Sequence, residues 1–405
     1  MNAGCPVRIR STGRLLALIL GAGLLGTACD RGTSAPLAHY AYVWQREWTP
    51  ATTDAMAQSA GFLGGWHVLL AETDGPEDWR SFMPRLPPAA PGQYSLTAVV
   101  RIDGRRQLED ADSLIPRLTH LLDGQPPGQW RALEIDYDCP TRSLGVYADF
   151  LRRLRAGLPA GISLSVTALP AWLSSPRLAD LLAVADESVL QVHSVLDPRR
   201  GLFDADLARG WVASFARRSA RPFFVALPDY GSRVGWDPAG RIVSIVSEQP
   251  SPLNGPGQQE LLSRPGDVAR FLGTYRQGHP ANLRGMVWFR LPVAGDQRVW
   301  SLRTLEAVVR DQPLLVRRSV AIEPDGMGAY QITIRNTGNI DGLVPRRVRT
   351  HPCVAADAMA GYGVVHGTTS LSFVRQSDVL IRAGHSVAVG WTRCPVHAED
   401  AYVED

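Results

Sequence analysis

Apolar and polar positions alternate in short bursts along this chain, and the bursts recur. The runs AHYAYVW (38–44), HVLLA (67–71), LTAVVRI (96–102), ALEIDYD (132–138), SLSVTA (163–168), VLQVH (189–193), FFVAL (223–227) and GMVWFRL (285–291) are rich in β-branched and aromatic residues and predict eight strands. Between several of them the period lengthens to that of a helix, most clearly over 108–122, 143–158 and 204–219, and again over 300–311 after the last run. This alternation predicts an α/β fold, a (β/α)8 TIM barrel over residues 38–312; a doubly wound sheet would give a similar string, and the repeat count favours the barrel. Two connections break the rhythm: 73–95 is rich in Pro and Gly, and 229–262 is long, polar and turn-rich. Both follow the C-terminal end of a strand, where barrel loops shape a cleft.

Past Pro313 the helical period disappears. Short segments such as SVAIEP, AYQITIRNTGN, TSLSFVRQ and HSVAVGWTRC, separated by turn residues, predict a small C-terminal antiparallel β-sandwich, an accessory domain over 313–405. At the other end Arg8, Arg10 and Arg14 precede the apolar run LLALILGAGLLG (15–26) and then TACD, the layout of a secretory signal too short to span a bilayer comfortably. Its end resembles a bacterial lipobox. Cleavage behind Ala28 would make Cys29 the lipidated first residue and 29–37 a tether, with the rest of the chain anchored to a membrane rather than embedded in it. Gly26 stands where a leucine is usual, which leaves a soluble periplasmic product as the alternative. Asp30 resembles an inner-membrane retention signal of some bacteria.

Composition acts mainly by exclusion. The 42 basic and 39 acidic residues form no run or stripe that would track a phosphate backbone, so no nucleic-acid partner is expected. A chain of 405 residues, 45 % hydrophobic, can bury one large core or two domains. In an exported chain Cys353 and Cys394, both in the C-terminal quarter, are expected to form a disulfide. Cys139 is left over and reads as a small residue at a strand end rather than as a nucleophile.

The fourth run carries the chemistry. Glu134, Asp136 and Asp138 occupy alternate positions, so they share one face of the strand, with Leu133, Ile135 and Tyr137 on the other. Barrel strands are covered on both faces, and an acid on the interior face costs too much to keep uncompensated. Asp138, the last residue but one before Pro140, falls at the C-terminal mouth, where barrel enzymes do chemistry. The structural alternative is a buried ion-pair network with Arg101 or Arg290. A metal site ranks third: alternate strand residues stand about 6.5 to 7 Å apart, so three in a line could hardly converge on one ion. No cofactor is expected.

Acid-x-acid-x-acid at the end of strand four is similar to the D-x-x-D-x-D-x-E signature of family 18 glycoside hydrolases, the chitinase-like barrels. That resemblance places Asp138 where the family has its proton-donating glutamate, Asp136 where an aspartate orients the substrate's acetamido group, and Glu134 where a deeper aspartate supports it. Arg131 stands in place of the first aspartate, Glu134 is a glutamate, and Asp138 is one methylene shorter than the usual acid. More closely, AYVWQREW (41–48) together with LEIDYDCP resembles a family of bacterial proteins, the domain of unknown function 3142, which implies a glycosidase-like barrel without an established activity.

Other residues at strand ends are candidates for a sugar site. Alternation along 285–291 is expected to turn Trp288 inward with Arg290, and the resemblance to chitinase-like barrels gives a tryptophan there the role of an aromatic floor. Tyr42 and Trp44 on the first strand, His193 beside Gln191 on the sixth, and Trp172 after the fifth complete the substrate-binding set. Glycoside hydrolysis commonly uses a second carboxylate, at about 5 to 5.5 Å from the acid for retention or about 6.5 to 9.5 Å for inversion. Asp229 and Glu72 are the candidates, each also readable as a solvated loop acid. These residues predict a lipid-anchored, hydrolase-like barrel acting on a polysaccharide or oligosaccharide; the alternative is a carbohydrate-binding or envelope-assembly lipoprotein without turnover.

Overall fold

A computed structural model describes residues 36–74, 78–88, 93–108, 113–123, 128–193, 201–246, 257–376 and 379–405. The signal, Cys29 and Asp30 lie outside the described residues, as does part of the helix expected over 108–122. All eight apolar runs are strands: β1 Ala38–Val43, β2 Gly65–Thr73, β3 Ser95–Ile102, β4 Ala132–Tyr137, β5 Ser163–Ala168, β6 Glu187–Gln191, β7 Phe223–Pro228 and β8 Leu283–Phe289. They pair in parallel in chain order, and β1 pairs with both β2 and β8, so the sheet closes into a barrel. Helices α1 Pro50–Ser59, α2 Leu114–His120, α3 Leu144–Gly157, α4 Arg177–Val184, α5 Ala205–Ala216, α6 Pro265–Arg276 and α7 Leu302–Val309 surround it.

Strand alternation divides the apolar residues into two sets. One face of each strand packs against the helices, where Val43, Val68, Val100, Ile135, Val166, Val225 and Trp288 meet residues such as Tyr147, Leu151 and Phe271. The other faces the bore, filled by Tyr42, Leu69, Val99, Val189, Phe224, Ala226 and Val287. Helix α3 shows why the outer layer forms: Leu144, Tyr147, Ala148, Leu151 and Leu154 recur at helical spacing and are all buried. Asp204 and Ser301 stop the backbone cleanly at the starts of α5 and α7, their side chains accepting from amides of the first turn.

The connection over 229–262 is not the open loop its polarity suggested. It builds a three-stranded antiparallel sheet from Gly231–Trp236, Ile242–Val246 and Gln258–Leu262, with Tyr230, Val234, Leu261 and Leu202 as a small core of its own. Beyond α7 the chain forms two four-stranded antiparallel sheets and a two-stranded ribbon. Ile332, Ile334 and Val389 of one large sheet pack with Val348, Leu371 and Phe373 of the other. Cys353 and Cys394 are disulfide-bonded, closing a loop of 41 residues, and Cys139 is free and buried. Among the described residues, no helix is long and apolar enough to cross a membrane.

Candidate active site

The three acids lie in a row on the bore side of β4, at three depths. Deepest is Glu134, fully buried and accepting from three donors: the Tyr42 hydroxyl at 2.6 Å, His67 Nδ1 at 2.8 Å and the Ser165 hydroxyl at 3.2 Å. Those donors come from β1, β2 and β5, so the carboxyl ties together strands far apart in sequence. Asp136, one step toward the mouth, accepts from Thr167 Oγ1 at 2.8 Å and Gln191 Nε2 at 3.3 Å. Asp138 follows at the strand's end and is exposed. No hydrogen bond joins its side chain to a described residue.

Asp136 and Asp138 are both shifted by their surroundings. Burial, then the charge of Asp138, pushes the Asp136 carboxyl up to about 8, against the pull of the Thr167 hydrogen bond. The Asp138 carboxyl is also raised, by the protein around it, with Arg101 drawing it back. Two carboxyls raised together hold protons more readily than ordinary aspartates do. The ion-pair alternative does not describe this site. Arg290 pairs with Asp296, and Arg101 approaches Asp74 at 3.4 Å and Glu72 at 3.9 Å.

An aromatic basket lies in the bore beside the acids, linked to Glu134 through Tyr42. Phe289, at the end of β8, stacks on His193 with ring centres 5.2 Å apart and meets the edges of Trp44, Tyr42 and Tyr230 at 5.2 to 5.7 Å. His193 takes the Tyr230 hydroxyl at 3.3 Å on Nδ1, and burial lowers its pKa to about 4, so it is neutral in ordinary solution. Tyr42, Trp44 and His193 are therefore gathered around Phe289, and the Tyr42 hydroxyl joins this cluster to Glu134.

Four expected site residues are elsewhere. Trp288 points outward, not inward: its indole donates to His39 Nδ1 at 3.1 Å and its ring lies against Trp300, wholly buried beneath the helices. Phe289 occupies the inward position instead. Arg290 is buried in its ion pair with Asp296. Trp172 is also wholly buried, donating from Nε1 to the Cys139 carbonyl at 3.0 Å, so it lies under the loop that carries Asp138 rather than on the rim. Asp229 is no solvated loop acid: it is fully buried, and burial raises its pKa well above the ordinary value despite nearby Arg290. Its neighbour Tyr230 turns into the basket, which puts Asp229 on the opposite side of the chain.

The peptide bearing Asp138 is held from its other side as well. A Cβ on Gly104 would stand 2.2 Å from the Asp138 carbonyl oxygen, so only glycine allows the loop after β3 to pack there. Sequence reasoning missed Gly104, Phe289, His67, Ser165 and Thr167. Thr167 and Ser165 carried a signal, as polar residues on alternate positions of a buried strand.

A closed parallel barrel with stacked acids at its C-terminal mouth, followed by an all-β domain, defines the class. Residues 93–294 match the family described as Domain of unknown function (DUF3142), which bears out the resemblance drawn from AYVWQREW and LEIDYDCP together, and residues 320–395 match Domain of unknown function (DUF8456). The AYVWQREW segment lies before the matched residues. No curated protein matches the chain in sequence. Among solved structures, the spore cortex-lytic enzyme SleL of Bacillus cereus is 13 % identical over 68 % of this chain and 74 % of its own, with a TM-score of 0.47. A chitinase from Chromobacterium violaceum is 13 % identical over 68 % of this chain and 98 % of its own, TM-score 0.45. One from Bacteroides thetaiotaomicron is 9 % identical over 68 % and 97 %, TM-score 0.47.

Proposed function

We propose that this chain is an exported glycoside hydrolase-like protein, anchored to a membrane through Cys29, that cleaves a cell-envelope or extracellular polysaccharide. The observation that carries the reading is the Asp136–Asp138 pair: two carboxyls on one strand face at the C-terminal end of the barrel, both with raised pKa. Such a pair keeps a proton near neutral pH, the requirement for a general acid. Asp138, the exposed member, donates it to the glycosidic oxygen. Asp136, fixed by Thr167 and Gln191, stands beside the reacting sugar and orients it, while Glu134 acts from behind by fixing Tyr42.

One observation favours a second reading, a carbohydrate-binding lipoprotein without turnover. Neither candidate for the second carboxylate is at liberty: Glu72 is held by arginines and Asp229 is buried away from the basket.

The test is cleavage of a panel of bacterial envelope glycans and exopolysaccharides by the chain lacking residues 1–29, beside Asp138→Asn. Turnover lost in the variant, with fold and glycan binding retained, is the expected result. Binding that survives the substitution, with no turnover across the panel, moves the chain to the second reading. Fatty-acid labelling of the full chain, abolished by Cys29→Ser, tests the anchor.

A further inference from the structure

Guanidiniums crowd one side of the mouth, where β2 and β3 end. Glu72 is fully buried there; Arg46 donates to both its oxygens at 2.8 to 3.0 Å, and Arg80 reaches it at 2.9 Å. Burial pushes the Glu72 carboxyl up, but the Arg46 hydrogen bonds and the charges of Arg46, Arg80 and Arg101 outweigh it, and the net shift is downward. An ionised carboxylate beneath the surface thus anchors two arginines whose side chains are 35 % and 55 % exposed.

Arg101 is held differently. It stands in register with Glu72 on one side and Asp136 on the other, on the same strand face as Val99 of the bore. Its side chain is 36 % exposed, and its one hydrogen bond to a described residue is long, Nη1 to Asp74 at 3.4 Å. Ionic hydrogen bonds run about 2.7 to 2.9 Å, and a guanidinium carries five N–H donors in a rigid fork. Most of that fork therefore finds no acceptor among the described residues, one strand from the acid pair. Asp74, which Arg80 also bonds, and Asp78 are exposed on the same connection, and Glu72 lies 3.9 Å from Arg101, so this side is not a uniformly positive field. Selectivity here rests on the fork, which matches a planar or tetrahedral oxyanion with paired hydrogen bonds.

We propose that Arg101, assisted by Arg80, forms an anion subsite beside Asp136 and Asp138, so that the glycan this mouth takes is an acidic one bearing a carboxylate on the sugar bound there. The inference rests on the reading of the mouth as a glycan site. Sulfate or phosphate esters share the chemistry and are separated by experiment.

The experiment is equilibrium binding of the full chain to size-matched neutral, uronate-bearing and sulfated oligosaccharides at low and high salt. The uronate probe is expected to bind most tightly and to weaken with salt. Arg101→Gln and Arg101→Lys should each reduce its affinity roughly 10- to 100-fold and weaken the neutral probe far less, the lysine variant failing because it keeps the charge but not the fork. Arg80→Gln, at a more exposed position, gives a second reading if Arg101 variants unfold. A sulfated probe held more tightly than the uronate keeps the subsite and changes its anion. Equal affinity for neutral and acidic probes, or uronate affinity unmoved in all three variants, overturns the inference. Arg101-dependent uronate binding with no turnover removes the hydrolase reading and leaves the subsite; Asp138-dependent cleavage of neutral glycans alone does the reverse.

Discussion

The indole N–H of Trp172 donates to the carbonyl of Cys139 at 3.0 Å, one residue beyond Asp138. Together with Gly104, which packs its Cα against the Asp138 carbonyl, it grips the peptide of the exposed acid from two directions without facing the mouth. Trp172→Phe removes the donor and leaves a buried carbonyl unanswered, at a cost of about 1 to 3 kcal/mol by urea unfolding. If the grip positions Asp138, glycan cleavage falls in kcat with KM little changed. Gly104→Ala should be the more damaging, because backbone must move to admit the methyl. Unaltered kcat in a folded Trp172→Phe would show that Asp138 needs no such support.

The raised pKa of Asp136 makes stability fall with pH. An unfolded aspartate titrates near about 3.9, whereas the folded group is pushed up to about 8. Between those values the folded chain binds a proton that the unfolded chain does not. The contribution is thus complete below about pH 4 and drains away as pH rises through the folded pKa near 8. Asp136→Asn cannot lose a proton, so its stability should decline less steeply over this window. Urea midpoints across it, for both proteins, make the comparison. Parallel profiles would mean that Asp136 is ionised in the folded chain.

Asp229 permits a sharper version of the same argument. It is wholly buried, and burial raises its carboxyl well above the ordinary range, outweighing the charge of Arg290 and the nearby backbone amides. Asp229→Asn substitutes a neutral group of the same shape. At neutral pH the variant should be the more stable, and the gain should vanish in acid. A loss of stability at neutral pH would instead mark an ionised Asp229 engaged with Arg290.

What could be read from the sequence follows from how a barrel is covered. Strands buried on both faces appear as unbroken apolar runs, so β1 to β8 were visible almost residue by residue. For the same reason the facing of β8 was hidden: Val287 and Trp288 are both apolar, and nothing in their alternation says which meets the bore. The acids of β4 were visible because they interrupt such a run. Their partners were not, since Tyr42 lies 92 residues and His67 67 residues from Glu134, beyond any local pattern. The sheet over 231–262 was missed because Ile242, Val243 and Ile245 sit exposed on an edge strand, where no covering layer imposes alternation.

Asp341 fastens the C-terminal domain to the start of α7. It is buried, and its carboxylate accepts from the Ser301 amide at 2.6 Å, before the first turn of α7, and from the Ala383 amide at 2.8 Å, while its own amide donates to Thr304 Oγ1 at 2.9 Å. A negative charge at a helix N-terminus is favourable in itself, and here it also satisfies an amide of the β domain. Close by, Arg382 donates to the carbonyl of Asp296, whose side chain holds Arg290 next to Phe289. The β domain therefore reaches the loop that follows the floor of the aromatic basket. Asp341→Ala strands two buried amides and should cost about 2 to 5 kcal/mol, most of it recovered by neither Asn nor Ser, which cannot present two anionic oxygens. Barrel and sandwich should then separate into two unfolding transitions in calorimetry. Because the contact continues to Asp296, the variant should also weaken glycan binding without touching the mouth. One cooperative transition with affinity intact would assign Asp341 to α7 alone and free the basket from the second domain.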